Sequence, residues 1–179
     1  MHTLTRLSAI DGEAILPLAD AKASAHITHD SDDAILSGFR DAALAEIERR
    51  SGVALDEAQF LCARSRFDSR IDLPMRPVVS VNSVVYNDAD GVEQTYATAR
   101  LVNGYVEAAV GGSWPSAYGY VGVTFTAGPP ASDQLAILIA AAHVQFQILE
   151  NRGRDDMKFI EGMEMAVDSL LGTIRRVMV

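Results

Sequence analysis

The chain has a single cysteine, Cys62, in 179 residues. A lone thiol excludes an intramolecular disulfide and any cysteine-based zinc cluster, so the fold stands on packing, alone or with oligomerisation. Lysine is nearly absent. Only Lys22 and Lys158 break a run of arginines among the 15 bases, which reads as coding bias more than physical need. Bases are outnumbered by 24 acids, for a formal charge of −9. That argues against a protein gripping phosphates over a broad basic face, but allows one that surrounds nucleic acid without holding it. No segment reaches the roughly 18 apolar residues needed to span a bilayer. The start, Met1 to Arg6, lacks the apolar run and cleavage site of a secretory signal. The chain therefore reads as soluble and intracellular. What is present is apolar: 49% hydrophobic against 22% charged residues, too apolar for disorder. The length suits one domain, or a small domain carrying an insertion, with a core of its own.

The texture changes three times. Residues 1–53 read as helical. Pro17 can open a helix over Leu18 to Ile27. A polar break, Thr28 to Asp33, supplies N-cap residues for a second helix from about Asp32 to Arg50. Its spacing predicts a buried stripe of Ile35, Leu36, Phe39, Ala43 and Ile47. Glu46 and Arg50 are spaced as an i,i+4 pair, and Gly52 as a left-handed C-terminal cap. Residues 54–129 switch to strand texture. Alternation marks a strand near Phe60 to Asp68, another over Val78 to Tyr86, and a hairpin return over Val92 to Thr98 through the Asn87–Gly91 turn. Leu101 to Val106 and Gly119 to Thr126 are further strands. Residues 130–172 are helical again. Leu135 to Val144 is apolar on nearly every face and needs cover on all sides, so a neighbouring subunit is expected to supply part of it. The last helix predicts a stripe of Phe159, Met163, Ala166, Leu170, Ile174 and Val177. Residues 173–179, after Gly172, read as a basic and apolar tail. The fold expected is α+β: a small helical bundle formed by the N- and C-terminal helices, with an inserted antiparallel β section.

The residues offer no convincing reaction centre. His26 and His29 could share a helix face, but no third ligand accompanies them. His143 lies in an apolar helix and reads as a core or interface histidine. Cys62 reads as a small buried apolar residue. Asp88, Asp90 and Gly91 faintly resemble a calcium loop without its spacing or terminal glutamate. Asp155 and Asp156 read as a solvated helix cap. No phosphate-binding glycine loop or nucleophile elbow occurs. Arg64, Arg66, Arg70 and Arg76 form a basic cluster, which interspersed Asp68 and Asp72 mark for ion pairing more than for phosphate contact. No metal, cofactor or catalytic residue is expected.

The order of short motifs resembles a known family. Leu16-Pro17-Leu18-Ala19-Asp20-Ala21-Lys22-Ala23-Ser24-Ala25-His26-Ile27, then Asp30-Ser31-Asp32-Asp33-Ala34-Ile35-Leu36 and a long helix ending at Ser51-Gly52, is similar to the opening of tailed-phage head–tail connector proteins. Ile71-Asp72-Leu73-Pro74-Met75-Arg76-Pro77-Val78-Val79-Ser80-Val81, Tyr86 to Gly91, Trp114-Pro115 and Val123 to Gly128 resemble the β-containing branch of that family, found also in prophages and gene transfer agents. The resemblance covers roughly residues 16 to 151.

It implies a non-enzymatic virion part made in the bacterial cytoplasm and located in the virion neck. Such proteins form a homo-oligomeric ring of about twelve copies joining the portal to the downstream neck or tail-stopper protein. DNA passes through the ring without sequence-specific binding, and no membrane is involved. Given that role, Leu135, Leu138, Ile139, Ala142 and Phe146 are candidate subunit-interface residues. Asp30, Asp32, Asp33, Asp41 and Glu48 are candidate channel-facing acids whose charge would repel phosphates. The tail, Arg175, Arg176, Val177, Met178 and Val179, is a candidate portal-docking segment because its charge reverses that of the acidic body. The competing readings are a cytoplasmic oligomeric binding module, or a hydrolase using His143 or Asp72.

Overall fold

A computed structural model of the chain describes residues 2–151 and 157–177. The elements in order are β1 (His2–Arg6), α1 (Gly12–Ile15), α2 (Leu18–Ser24), α3 (Asp33–Ser51), β2 (Ala58–Arg64), β3 (Ile71–Asp72), β4 (Val78–Asn87), β5 (Glu93–Thr95), β6 (Arg100–Val102), β7 (Tyr105–Glu107), β8 (Val121–Ala127), α4 (Ser132–Asn151) and α5 (Met157–Val177). The fold is α+β. The chain divides into a β unit, Met1–Ala9 with Glu57–Pro129, and a helical unit, Ile10–Asp56 with Pro130–Val179.

The β unit contains a five-stranded sheet in the order β1-β2-β8-β4-β5 and a three-stranded sheet in the order β3-β7-β6. Every pairing is antiparallel. Alternation decides the faces. Ala58, Phe60 and Cys62 on β2 are buried, as are Val121, Val123, Phe125 and Ala127 on β8. Phe60 is the register partner of Phe125, and their rings stack at 5.7 Å. Aromatic pairs of this kind add to plain area burial. Two elements differ from the sequence expectation. Residues 2–6, expected within the helical segment, form edge strand β1, with Thr3 opposite Ala63 and Thr5 opposite Leu61. A five-residue strand with a Thr-Leu-Thr centre is too short to announce its period before its partner is known. Leu101 to Val106 is not one strand but a hairpin of β6 and β7. Asn103 (φ 50°) and Gly104 (φ 80°) make the two-residue turn. Asn-Gly takes positive φ at both positions cheaply, so this was the stronger turn signal in the chain.

The helical unit packs one apolar core from Leu16, Leu36, Leu44, Ile47, Leu138, Phe146, Val167 and their neighbours. Helix α3 ends as its sequence requires: Gly52 sits at φ 68° and its N–H donates to the Glu48 carbonyl. Its buried face is turned from the expected stripe. Ile35 is 59% exposed, while Leu36, Arg40, Ala43, Leu44 and Ile47 are buried. Arg40 enters the interior because Glu13 of α1 and Asp41 both bind its guanidinium. Glu46 pairs with Arg49, and Arg50 reaches Asp168 on α5 at 2.5 Å. Helix α5 is likewise rotated. Met163, Val167, Leu171 and Ile174 face the core, and Phe159 and Ala166 face out. Gly172 does not end it; the helix continues to Val177.

Candidate functional site

Three groups of residues could contact other molecules, and the structure separates them. The expected subunit-interface residues all lie on α4. Leu138, Ala142 and Phe146 are fully buried in the chain's own core. They are therefore not free contact surface, which corrects the expectation for these three. Their cover comes from within: the core that takes them also holds residues of α3 and α5. Leu135 and Ile139 remain half-buried at the edge of that core. Among the described residues of this unit, the large apolar side chains left exposed are others: Ile35, Phe159 and Met165 (74% exposed). The sequence pattern missed them because a stripe shifted by one residue still looks periodic.

The acids are mostly engaged. Lys22 is buried, yet its ammonium lies 2.6 Å from both Asp30 and Asp33. A cation taken from water needs such partners. Hydrogen bonding from Lys22 holds the Asp30 carboxyl below its ordinary range, and Asp30 and Asp33 raise the lysine above its own. These contacts tie the polar break after α2 onto that helix. Asp41 is spent on Arg40 at 2.9 Å. Glu48 is buried and accepts from the Leu55 N–H at 3.1 Å. That excludes Glu48 from any channel surface. It closes the turn after α3 instead. Asp32 is exposed, with the Ser31 hydroxyl at 3.3 Å. The tail residues Met178 and Val179, the side chains of Arg175, Arg176 and Val177, and Asp155 and Asp156 lie outside the described residues.

In the β unit the arginine cluster pairs as its spacing suggests. Arg64 bonds Asp68 at 3.1 Å and the Asp72 carbonyl; Arg76 bonds Asp72 at 3.0 Å and lies over the Tyr105 ring. Arg70 binds Glu107 at 2.8 Å. Trp114 stacks on Phe67 at 4.6 Å and packs against Tyr96 at 4.9 Å, while Phe67 meets Tyr86 edge-on. The Tyr96 hydroxyl accepts from the Ala109 N–H. This aromatic group anchors the irregular segment between β7 and β8. Asp88 is no calcium ligand in waiting. Its carboxylate accepts from Gln94 and from the Val92 and Asp90 N–H groups, which together hold it below the usual range.

The residues considered for chemistry are dispersed. His29 lies beside Ser31 at 3.0 Å, and His26 is exposed at a positive φ. His143 is half-buried on α4, Cys62 is buried on β2, and Asp72 is engaged by Arg76. Among the described residues, no group of three or more His, Cys, Asp and Glu side chains is placed to hold a metal. No helix among them is long and apolar enough to cross a membrane.

No protein-family model matches the chain, and no curated protein matches it. Solved structures do. One, "Neck of empty GTA particle computed with C6 symmetry", is 30% identical, with a TM-score of 0.64 over 81% of this chain and 82% of that one. "Virion of native gene transfer agent (GTA) particle" is 27% identical, with a TM-score of 0.65 over 86% and 85%. "Neck of native GTA particle computed with C12 symmetry" is 29% identical, with a TM-score of 0.64 over 86% and 84%. Fold and identity together define the class, a structural protein of the neck of a phage-like particle. The chain belongs to the head–tail connector family, in the branch that gene transfer agents share.

Proposed function

We propose that this chain is the adaptor of its particle: a ring subunit, in about twelve copies, seated between the portal and the next neck protein, with DNA passing through the ring. The observation that carries the reading is the likeness to a neck of twelvefold symmetry over 86% of the chain. A closed ring needs a heterologous interface, in which two different faces of one subunit meet. Ile35, Phe159 and Met165, with half-buried Leu135 and Ile139, supply apolar surface for it. The role is architectural and requires no catalysis.

Two finer assignments belong to the same proposal. Asp30, Asp32, Asp33 and Asp41 remain the candidate acids of the channel wall. Lys22 is shared by Asp30 and Asp33, and Arg40 by Asp41 and Glu13, so the group keeps a net negative charge that would repel phosphate. The segment Arg175 to Val179 is the candidate portal contact. Ile174 is buried in the core, so the informative truncation removes residues 175–179 and spares it. A strain lacking the gene should produce filled heads without tails, seen by electron microscopy. Normal tailed particles would sink the proposal. The truncated chain should fold but fail to bind the portal; undiminished binding would remove the docking assignment.

A further inference from the structure

Charge is divided unevenly between the two units. The helical unit carries nine bases against seventeen acids, the β unit six arginines against seven acids. Three acids of the β unit, Asp88, Asp90 and Glu93, are gathered at the β4–β5 hairpin. The remainder of the β unit therefore holds six arginines against four acids. Arg64 and Arg76 are committed to Asp68 and Asp72. Arg66 and Arg70 are 81% and 68% exposed, and Arg100 is exposed too.

Arg70 and Arg100 line a cleft of about 410 Å³ with Ser69, Glu107, Gly111 and Gly112. Glu107 binds Arg70 at 2.8 Å and is the register partner of Arg100 across the β6–β7 ladder. The carboxylate is taken by Arg70, and Arg100 has no ion pair of its own among the described residues. The other wall, Ala108 to Gly112, bears only small side chains apart from the outward Val110 (84% exposed). Gly111 takes φ 72°, which lets the backbone turn without a side chain in the cleft.

We infer that this cleft binds phosphodiester groups of DNA. Two guanidinium forks on one cleft match the oxygens of a phosphate, and the Ser69 hydroxyl adds a donor. At about 410 Å³ the cleft has room for a phosphate group. Glu107 competes for the Arg70 fork, and the acidic helical unit opposes approach from a distance. The contact is consequently weak and salt-sensitive, as suits a polymer that must keep moving. The choice of DNA as the polyanion rests on the adaptor reading; the test does not.

The test is fluorescence anisotropy of a labelled duplex of about 20 base pairs with the full-length chain, over a series of salt concentrations. Binding should fall with salt. Arg70→Gln with Arg100→Gln should weaken it about tenfold and lower the log–log salt slope by about 2. Glu107→Gln should strengthen it. Trp114 fluorescence reports whether the β unit of each variant is folded. Equal binding by parent and double variant overturns the inference. So does inorganic phosphate displacing the duplex at a matching concentration of phosphate groups, which would make this a free-anion site. If the double variant still binds duplex but no longer forms rings, the cleft holds the acidic helical unit of a second copy and the inference fails. Particle morphology in the deletion strain is read separately, so loss of the cleft leaves the adaptor reading standing.

Discussion

The helical unit and the β unit solve different problems with different materials. The helical unit holds most of the net negative charge, yet its acids at the helix starts are tied down by Lys22 and Arg40. The β unit is nearly neutral, and its surface is set by paired arginines and an aromatic anchor. The contrast teaches that overall charge is a poor guide to surface. The unit richest in acids has spent several of them internally, while the balanced unit leaves three arginines exposed.

Four substitutions sharpen this contrast, the largest effect first. Phe146→Ala in the helical core and Phe125→Ala in the β core should each cost about 3 to 5 kcal/mol, read by urea unfolding. If each unit has its own transition, Phe125→Ala should move the Trp114 fluorescence signal and Phe146→Ala the helical circular dichroism. Both signals shifting together in both variants would show that the units unfold as one. Glu48→Ala leaves the Leu55 N–H without its carboxylate and should cost about 2 kcal/mol, confined to the helical signal. A change below a few tenths would mean that water replaces Glu48 there. Trp114→Ala should cost about 1 to 2 kcal/mol and speed amide exchange at Ala109. Unchanged exchange would show that the β7–β8 segment is held by something else.

The smallest effect depends on pH. Asp30 has a lowered pKa in the folded chain. Its contribution is present above the ordinary carboxylate value of 3.8 and fades as pH falls through the folded value. Lys22 has a raised pKa, so its contribution is present below 10.5 and fades as pH rises past the folded value. Asp30→Asn should therefore lower stability at neutral pH, with the gap to the parent closing in acid and again in strong base. A gap constant across that range would exclude the ion pair as its source.

Much of this was legible beforehand. Gly52, the Asn87–Gly91 turn and the alternation of β2 and β8 follow from local chemistry, which needs no partner to act. The interspersed Asp68 and Asp72 marked the arginine cluster for ion pairing, and the pairs formed are Arg64–Asp68 and Arg76–Asp72. What failed depended on tertiary context. Strand β1 exists because β2 offers it an edge far along the chain. The faces of α3 and α5 were set by Arg40 being drawn inward and by which turn of α5 meets the core. Helix α4, apolar all round, looked as if it needed another subunit until the other helices proved able to cover Leu138 and Phe146. The exposed Arg70 and Arg100 were not joined in advance, because only the β6–β7 hairpin brings Arg100 opposite Glu107.

Strand β1 has a consequence for how the molecule bears load. Because residues 1–9 belong to the β unit, the chain passes between the units three times: after Ala9, after Asp56 and after Pro129. Tension applied between the units is shared by three polypeptide spans acting in parallel. A protease cut in any one span leaves two continuous tethers. Neither unit exists as a single uninterrupted stretch of sequence, so neither can be produced alone by simple truncation.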